Sequence, residues 1–544
     1  MSSANSLPDV IEIKEDVEMD ESNNTHSEPT TTELRQEEQQ SSNESKKDQQ
    51  INSRKANSKE RQNRQKYEQS EYVALLDGNG NPIPKSERKP KKKVAVMIGY
   101  CGTGYNGLQI QNDPNTKTIE KDLYEAFYKA GAISLENSID LKKSGFQRCA
   151  RTDKGVHAAG NVISLKLIIE DSEILKKIND NLPDQIRVWG IQRTTKGYDC
   201  RKMCSSRWYE YLLPTYSLIS PKPGTRLAKL IDSEKEKYPN LFVDDDGESN
   251  TFWETTQQKV FESGISKEEL DLVTKYYENS PEQNQDSQIE NKTIENIVKK
   301  IKTIENQQRR LYRISSKKLD RFRNTMDQYK GSNNFHNFTI GKSFKDSSSK
   351  RFIIDTKTSE PFVINGTEWI SIKIHGQSFM LHQIRKMICM ACLILRLDLP
   401  STLIKDCFKS TKINIPKAPS LGLLLEAPVF DAYNLKLKDH QYDIIDFSKF
   451  SKEMNEFKMK FIYDKIYGEE IKENSFYGFF GFIDNYKIPL DNEEIKNGNG
   501  GAGSITIFDF FHNYINEYKN DKEFDADKPI KVDEKQEENQ ADKK

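Results

Sequence analysis

Residues 149–167 read CARTDKGVHAAGNVISLKL. The last six, Val162 to Leu167, have the apolar, β-branched make-up of a strand. The first ten set one carboxylate, Asp153, between the cations Arg151 and Lys154, and follow it with Gly155, which lets the backbone turn or come close to a ligand. An Asp at a turn between two strands reads either as a functional carboxylate or as an Asx turn with a surface ion pair.

The flanking segments set the fold class. Upstream, Val94 to Tyr100 (VAVMIGY) predicts a buried strand, and Thr118 to Ala130 an amphipathic helix with Ile119, Leu123 and Phe127 on one face and Thr118 as N-cap. Downstream, Ser172 to Asp180 predicts a helix, Gln185 to Ile191 a strand, and Ser206 to Leu213 (SRWYEYLL) a strand rich in aromatics. A second unit has the same mixture, with helices over 316–328 and 380–397 and strands over 348–356, 369–375 and near Leu423. The pattern is α+β. The expected organisation is a disordered acidic and polar tail over 1–84, a basic arm over 85–93, an N-terminal α/β domain over 94–216, a partly helical insertion over 217–308, a second α/β domain over 309–432, a helical C-terminal extension over 433–518 and a charged disordered tail over 519–544.

Composition agrees with unfolded tails. Of the 544 residues, 31% are charged and only 35% apolar or aromatic, below the roughly 45–50% apolar share of an ordinary globular chain. The net charge of -1 hides a reversal: residues 1–50 carry 4 basic and 13 acidic side chains, residues 51–93 carry 12 and 5. The run Lys85 to Lys93 has the look of a nuclear-import signal or an RNA-grasping arm, and equally of a solvated charge run. Seven cysteines without framework spacing suit a reducing compartment. The start, MSSANSLPDV, has no signal-peptide pattern, and the longest apolar run, Met387 to Leu395, falls far short of the roughly 20 residues that span a bilayer. No membrane association is expected.

Several motifs are weak. Gly102 to Gly107 (GTGYNG) fits a dinucleotide fingerprint, but Gln111 to Asn115 intervenes where a helix would have to open, so a glycine-rich turn is the better reading. In the calcium-like stretch Asp77 to Arg88, Pro82 replaces the required Gly. Cys200 and Cys204, and Cys389 and Cys392, read as buried structural thiols. A zinc deaminase is disfavoured because His157 is followed by Ala158-Ala159.

Two further clusters stand beside the Asp153 stretch. In His375 to Arg385 (HGQSFMLHQIR), Arg385 lies early in a helix packed with Met387, Ile388, Leu393 and Ile394, where a guanidinium needs a carboxylate partner. In Arg207-Trp208-Tyr209-Glu210-Tyr211, strand alternation puts Tyr209 and Tyr211 on the face of Arg207, which suits base stacking as well as an ordinary core.

Arg151-Thr152-Asp153-Lys154-Gly155-Val156-His157 resembles the R-T-D-x-G-V-H signature of the TruA family of tRNA pseudouridine synthases. Arg207-x-Tyr209-x-Tyr211, Phe379-x-x-x-x-Ile384-Arg385, the Gly99 to Gly107 turn, Asn334 to Phe338 and Ala418 to Leu423 follow in that family's order, spanning about Lys93 to Phe430. The long insertion and basic arm look most like its eukaryotic, multisite-specific branch. One departure is Tyr198-Asp199-Cys200-Arg201, where the family usually has Phe-x-Ala-Arg.

The resemblance implies a two-domain fold with a central mixed, largely antiparallel sheet flanked by helices, and a basic RNA-binding cleft completed by the second domain. It implies an isomerase with catalytic Asp153, Tyr209 stacking on the target base, and Arg385 pairing with Asp153 to keep it ionised. It further implies an RNA-binding and base-flipping set of Arg151, Lys154, His157 and Arg207, with Arg151 filling the gap left by the flipped uridine. No cofactor is needed for such catalysis; some eukaryotic relatives are described as zinc-containing, but no four-ligand set is evident and the metal residues stay unassigned. The implied partners are tRNA, with small nuclear RNA and mRNA as further substrates, and the nuclear import machinery acting on the basic arm of a monomeric nuclear protein. The alternatives are an RNA-binding or tRNA-chaperone protein with little catalysis and, resting on the glycine turn alone, a nucleotide-cofactor oxidoreductase.

Overall fold

The structure is a computed structural model that describes residues 89–485 and 504–524, apart from residues 112, 114, 135–136, 138–140, 244–246 and 279–287. The acidic tail, the first part of the basic arm and most of the final charged tail lie outside the described residues.

The first half of the chain supplies β1 (Lys92–Tyr100), β2 (Gln147–Arg148), β3 (His157–Leu167), β4 (Ile186–Arg193) and β5 (Ser206–Pro214), with helices α1 (Ile119–Lys129) and α2 (Ile174–Asp180). Four helices follow, α3 (Arg226–Lys237), α4 (Glu248–Glu262), α5 (Lys267–Glu278) and α6 (Gln288–Leu311), and then α7 (Ser316–Asp327). The second half adds β6 (Gly331–Asn334), β7 (Lys350–Thr358), β8 (Phe362–Ile364), β9 (Thr367–Gly376), α8 (Gln383–Arg396), β10 (Lys412–Asn414) and β11 (Leu423–Val429). The C-terminal part carries α9 (Asp431–Asp439), α10 (Ser451–Phe457), α11 (Asp464–Glu473), α12 (Ser475–Asp484), β12 (Ser504–Thr506) and α13 (Ile507–Phe524).

Both halves share one ten-stranded sheet in the order β4-β1-β3-β11-β5-β9-β7-β6, with β2 beside β3 and β8 beside β9; β10 and β12 form a separate parallel pair. Neighbours in the large sheet are antiparallel except at the centre, where β3 and β11 run parallel with Leu424 opposite His157 and Leu425 opposite Ala158. This is the mixed, largely antiparallel sheet of an α+β fold. Burial follows position: β3 has a single exposed residue, Lys166, as a strand covered on both faces should, while β7, next to the edge, alternates.

β3 starts at His157, five residues before the predicted Val162, because small residues let its first turn approach β11: a Cβ at Gly160 would lie 2.8 Å from the Glu426 carbonyl oxygen. Thr118 does stand at the N-cap of α1, but its buried hydroxyl makes no capping bond. In the first turn, buried Glu120 instead accepts the Ile110 N–H at 2.9 Å and an ion pair from Arg148. Helix α8 begins at Gln383 rather than Met380, since His382 has a left-handed backbone that cannot be helical. Periodicity could not reveal the short strands β2, β6 and β8, which are held by pairing rather than by their own pattern. In the insertion, α4, α5 and α6 bury a small core of their own around Val260, Ile265, Val273, Ile294 and Ile301. No helix among the described residues is long and apolar enough to cross a membrane.

Candidate active site

The loop from Ala150 to Val156 joins β2 to β3 where the two halves of the sheet meet. It turns on itself through the Val156 N–H to Asp153 carbonyl bond (3.1 Å) and on Gly155, whose φ of 76° is in the left-handed region that favours glycine. The glycine-rich turn after β1 cradles it. Gly155 N donates to the Tyr105 carbonyl (3.3 Å), Leu108 N to that of Thr152 (3.2 Å), and the Thr152 hydroxyl meets the Tyr100 hydroxyl at 2.9 Å. A Cβ on Gly102 would lie 2.2 Å from the Val156 carbonyl oxygen, and one on Gly107 2.7 Å from that of Thr152. These glycines therefore admit the Asp153 loop, and no helix opens behind them until Ile119. Gly102→Ala is expected to displace that loop and lower turnover by about 100-fold, the scale of a misplacement of about 1 Å, while RNA affinity stays near wild type; single-turnover rates beside binding isotherms check this.

His157 requires a correction. It is 0% exposed beneath the loop, accepts the Gly102 N–H at Nδ1 (3.1 Å), and leaves Nε2 buried without a partner. It holds the loop from behind and cannot touch RNA. Burial, and next Lys465, push its pKa down from 6.5 to about 4. A folded pKa below the unfolded one means that the unfolded chain takes up the proton first as pH falls. Stability is therefore full above about 6.5 and declines as pH drops from about 6.5 to about 4. The melting temperature of His157→Asn, which keeps an acceptor for Gly102, is expected to fall less over that window than that of wild type.

Asp153 lies on the wall of a cleft of about 670 Å³ that also takes Arg151, Arg207, Tyr209, Phe379 and His382. Lys154 and Arg385 are not among the lining residues. Lys154 is exposed on the outer side of the turn. Arg207 is tied down: one terminal nitrogen donates to the Gln377 carbonyl and the other to the Cys149 carbonyl, both at 3.1 Å, so it stitches the end of β9 to the Asp153 loop. Tyr209 is 9% exposed, with its ring edge-on to Phe379 at 5.1 Å. Burial raises its pKa, so it stays a neutral phenol at ordinary pH. That suits stacking better than proton removal. Tyr211 lies deeper, its hydroxyl donating to the Pro419 carbonyl at 2.7 Å.

Arg385 also departs from expectation. Its Nε donates to the Ala418 carbonyl at 2.6 Å, and it makes no ion pair with Asp153. It acts on Asp153 only through space, and burial lowers its pKa. Within ion-pair distance of the carboxylate stands His382, whose Nδ1 lies 3.3 Å from Oδ2 of Asp153. Helix α8 does find a carboxylate for a guanidinium, but further along: Arg396 pairs with Asp484 at 2.6 and 2.7 Å. Among the cleft residues that the sequence did not single out are His382 and Arg351, the latter with a buried Nε that has no partner.

Residues 325–431, β6 through β11, match the family model described as tRNA pseudouridine synthase. Over 480 residues the chain is 61% identical to tRNA pseudouridine synthase 1 of Candida albicans, covering 86% of this chain and 77% of that protein. It is 53% identical over 439 residues to tRNA pseudouridine synthase 1 of Saccharomyces cerevisiae, covering 80% and 79%. The chain belongs to the tRNA pseudouridine synthase family. A further relative, the tRNA pseudouridine(27/28) synthase of Saccharomyces cerevisiae, is 37% identical over 402 residues, covering 73% of this chain and all of that protein. Members of the family are isomerases of uridine in RNA. The half of the cleft that carries Phe379 and His382 lies inside the matched region, and the Asp153 loop precedes it.

The zinc described for some eukaryotic members does not fit the described residues. No group of three or more His, Cys, Asp or Glu is arranged to hold an ion. Cys200, Cys389 and Cys392 are fully buried thiols, and burial pushes Cys200 and Cys392 up to about 12.

Proposed function

We propose that this enzyme converts uridines of tRNA to pseudouridine, with Asp153 as the catalytic carboxylate. What carries the reading is Asp153 itself: a carboxylate on the wall of a cleft of about 670 Å³ whose other lining side chains include Arg151, Arg207 and the buried Tyr209. A carboxylate facing polyanionic RNA costs binding, so it fits a chemical role better than a binding one. Isomerisation breaks the bond from ribose C1′ to uracil N1, turns the base, forms a bond from C1′ to C5, releases the C5 hydrogen as a proton and leaves N1 to take up a proton in its place. It is redox-neutral and calls for no cofactor. Asp153 forms a covalent adduct either at the uracil ring or at ribose C1′.

The target uridine flips out of its helix, which costs a few kcal/mol. Tyr209 stacks on the flipped base, with the Phe379 ring edge-on beside it, and Arg151, exposed at the rim, fills the gap. Arg201 and Lys202, also lining the cleft, join it in holding phosphates. The substrates are uridines of the anticodon stem, including intron-containing precursors, and small nuclear RNA and mRNA sites of similar shape. The protein works as a nuclear monomer, imported through the basic run from Lys85 to Lys93.

The substrate range is tested by incubating wild type with unmodified tRNA transcripts, with and without introns, and with small nuclear RNA and mRNA fragments, then mapping pseudouridine by position. Modification confined to tRNA would remove the wider substrates. Tight tRNA binding with no pseudouridine in any RNA would favour a tRNA chaperone instead.

A further inference from the structure

Five described residues other than glycine have a left-handed backbone, and of these only His382 lines the cleft. It is the N-cap of α8, with φ 61° and ψ 3°. A histidine adopts that conformation at a cost, and such strain gathers where geometry serves a site. Here it aims the ring across the central seam of the sheet, so that Nδ1, from the second half of the chain, stands 3.3 Å from Oδ2 of Asp153, from the first. Nδ1 is buried and has no aligned hydrogen bond of its own. Arg385, one turn along the same helix, is committed to the Ala418 carbonyl.

We propose that His382 is the positioning residue of Asp153: a neutral imidazole whose Nδ1–H holds Oδ2 and leaves the other oxygen free to meet the substrate. The inference rests on the reading of Asp153 as the catalytic carboxylate. The groups that face the ring are Asp153, Lys417 and Arg385; burial and the two cations oppose a second proton, and Asp153 favours it, with a net lowering. The neutral ring suits the task. A fixed cation at this distance would hold the carboxylate in an ion pair and weaken it as a nucleophile, whereas a neutral donor sets its rotamer and leaves its charge available. In the free enzyme the contact is loose, and it tightens when substrate closes the cleft, as catalytic hydrogen bonds commonly do.

The test is single-turnover pseudouridine formation and tRNA affinity for His382→Ala, His382→Asn and His382→Gly, with Asp153→Ala alongside. His382→Ala is expected to lose about 100-fold in rate with affinity within about twofold of wild type. His382→Asn, which accepts the left-handed backbone and offers an amide donor, is expected to recover to within about tenfold of wild type. His382→Gly relieves the backbone without restoring a donor, so it folds at least as well and stays as slow as His382→Ala. Wild-type rates for the Gly or Ala variant, or a loss of affinity without a loss of rate, would overturn the proposal. If Asp153→Ala still turns over, the reading of Asp153 fails; if it is inactive while the His382 variants are fast, only the positioning role fails.

Discussion

Asp153→Ala is expected to bind tRNA at least as tightly as wild type and to make no measurable pseudouridine, a loss of about 10⁴-fold or more, as when a covalent nucleophile is removed. The two halves of that result have separate causes. The carboxylate is the only anionic side chain of the Ala150–Val156 loop, and it faces a cleft built to receive phosphates, so its removal relieves repulsion. The loop is held by backbone bonds from Gly155, Leu108 and Val156 and by the Thr152 to Tyr100 contact. None of these uses the Asp153 side chain, so its fold survives truncation. Single-turnover assays at saturating enzyme separate rate from affinity, and a thermal melt within a degree or two of wild type would show the loop intact.

The largest effect on stability is expected from Arg396→Ala. Arg396 sits at the end of α8 at 5% exposure, one terminal nitrogen donating to both carboxylate oxygens of Asp484 of α12 and the other to the Ile219 carbonyl at 2.6 Å. Asp484 is equally buried, at 5%. Removing one partner leaves the other charge without compensation in the interior, which costs about 3–5 kcal/mol. The urea midpoint should fall accordingly, and single-turnover activity in the absence of denaturant should be nearly unchanged, because Arg396 lies about four turns from His382 on the same helix. Removing both charges in Arg396→Met with Asp484→Leu should recover most of the loss, since a buried pair is worth little against an apolar filling of like volume.

How far the sequence could be read differs from residue to residue. Asp153 and the strands around it were legible because the signal is local: alternation and apolar runs specify β1, β3 and β5, and a turn-forming Gly155 marks the loop between them. The glycines at 102 and 107 could be read as a turn, but not as the surface on which the Asp153 loop rests, which depends on contacts to residues about 50 positions away. His157 shares its motif with Asp153, yet alternation at the start of β3 turns it under the sheet and excludes it from RNA. The partner of Arg385 was misjudged for a related reason. A guanidinium early in an apolar helix does need an acceptor, and a carbonyl from Ala418 serves as well as a carboxylate. His382 was visible only as one more polar residue within the helix expected over 380–397, because nothing in the letters fixes a positive φ there.

Whether this cleft isomerises uridine in tRNA can be read at the C5 hydrogen. An unmodified tRNA transcript carrying tritium at uridine C5 should release tritium to water in the presence of wild type, in step with pseudouridine recovered from a nuclease digest, because forming the new C–C bond expels that hydrogen. Tritium retained in RNA that is bound but unchanged would mean that the cleft holds tRNA without isomerising it.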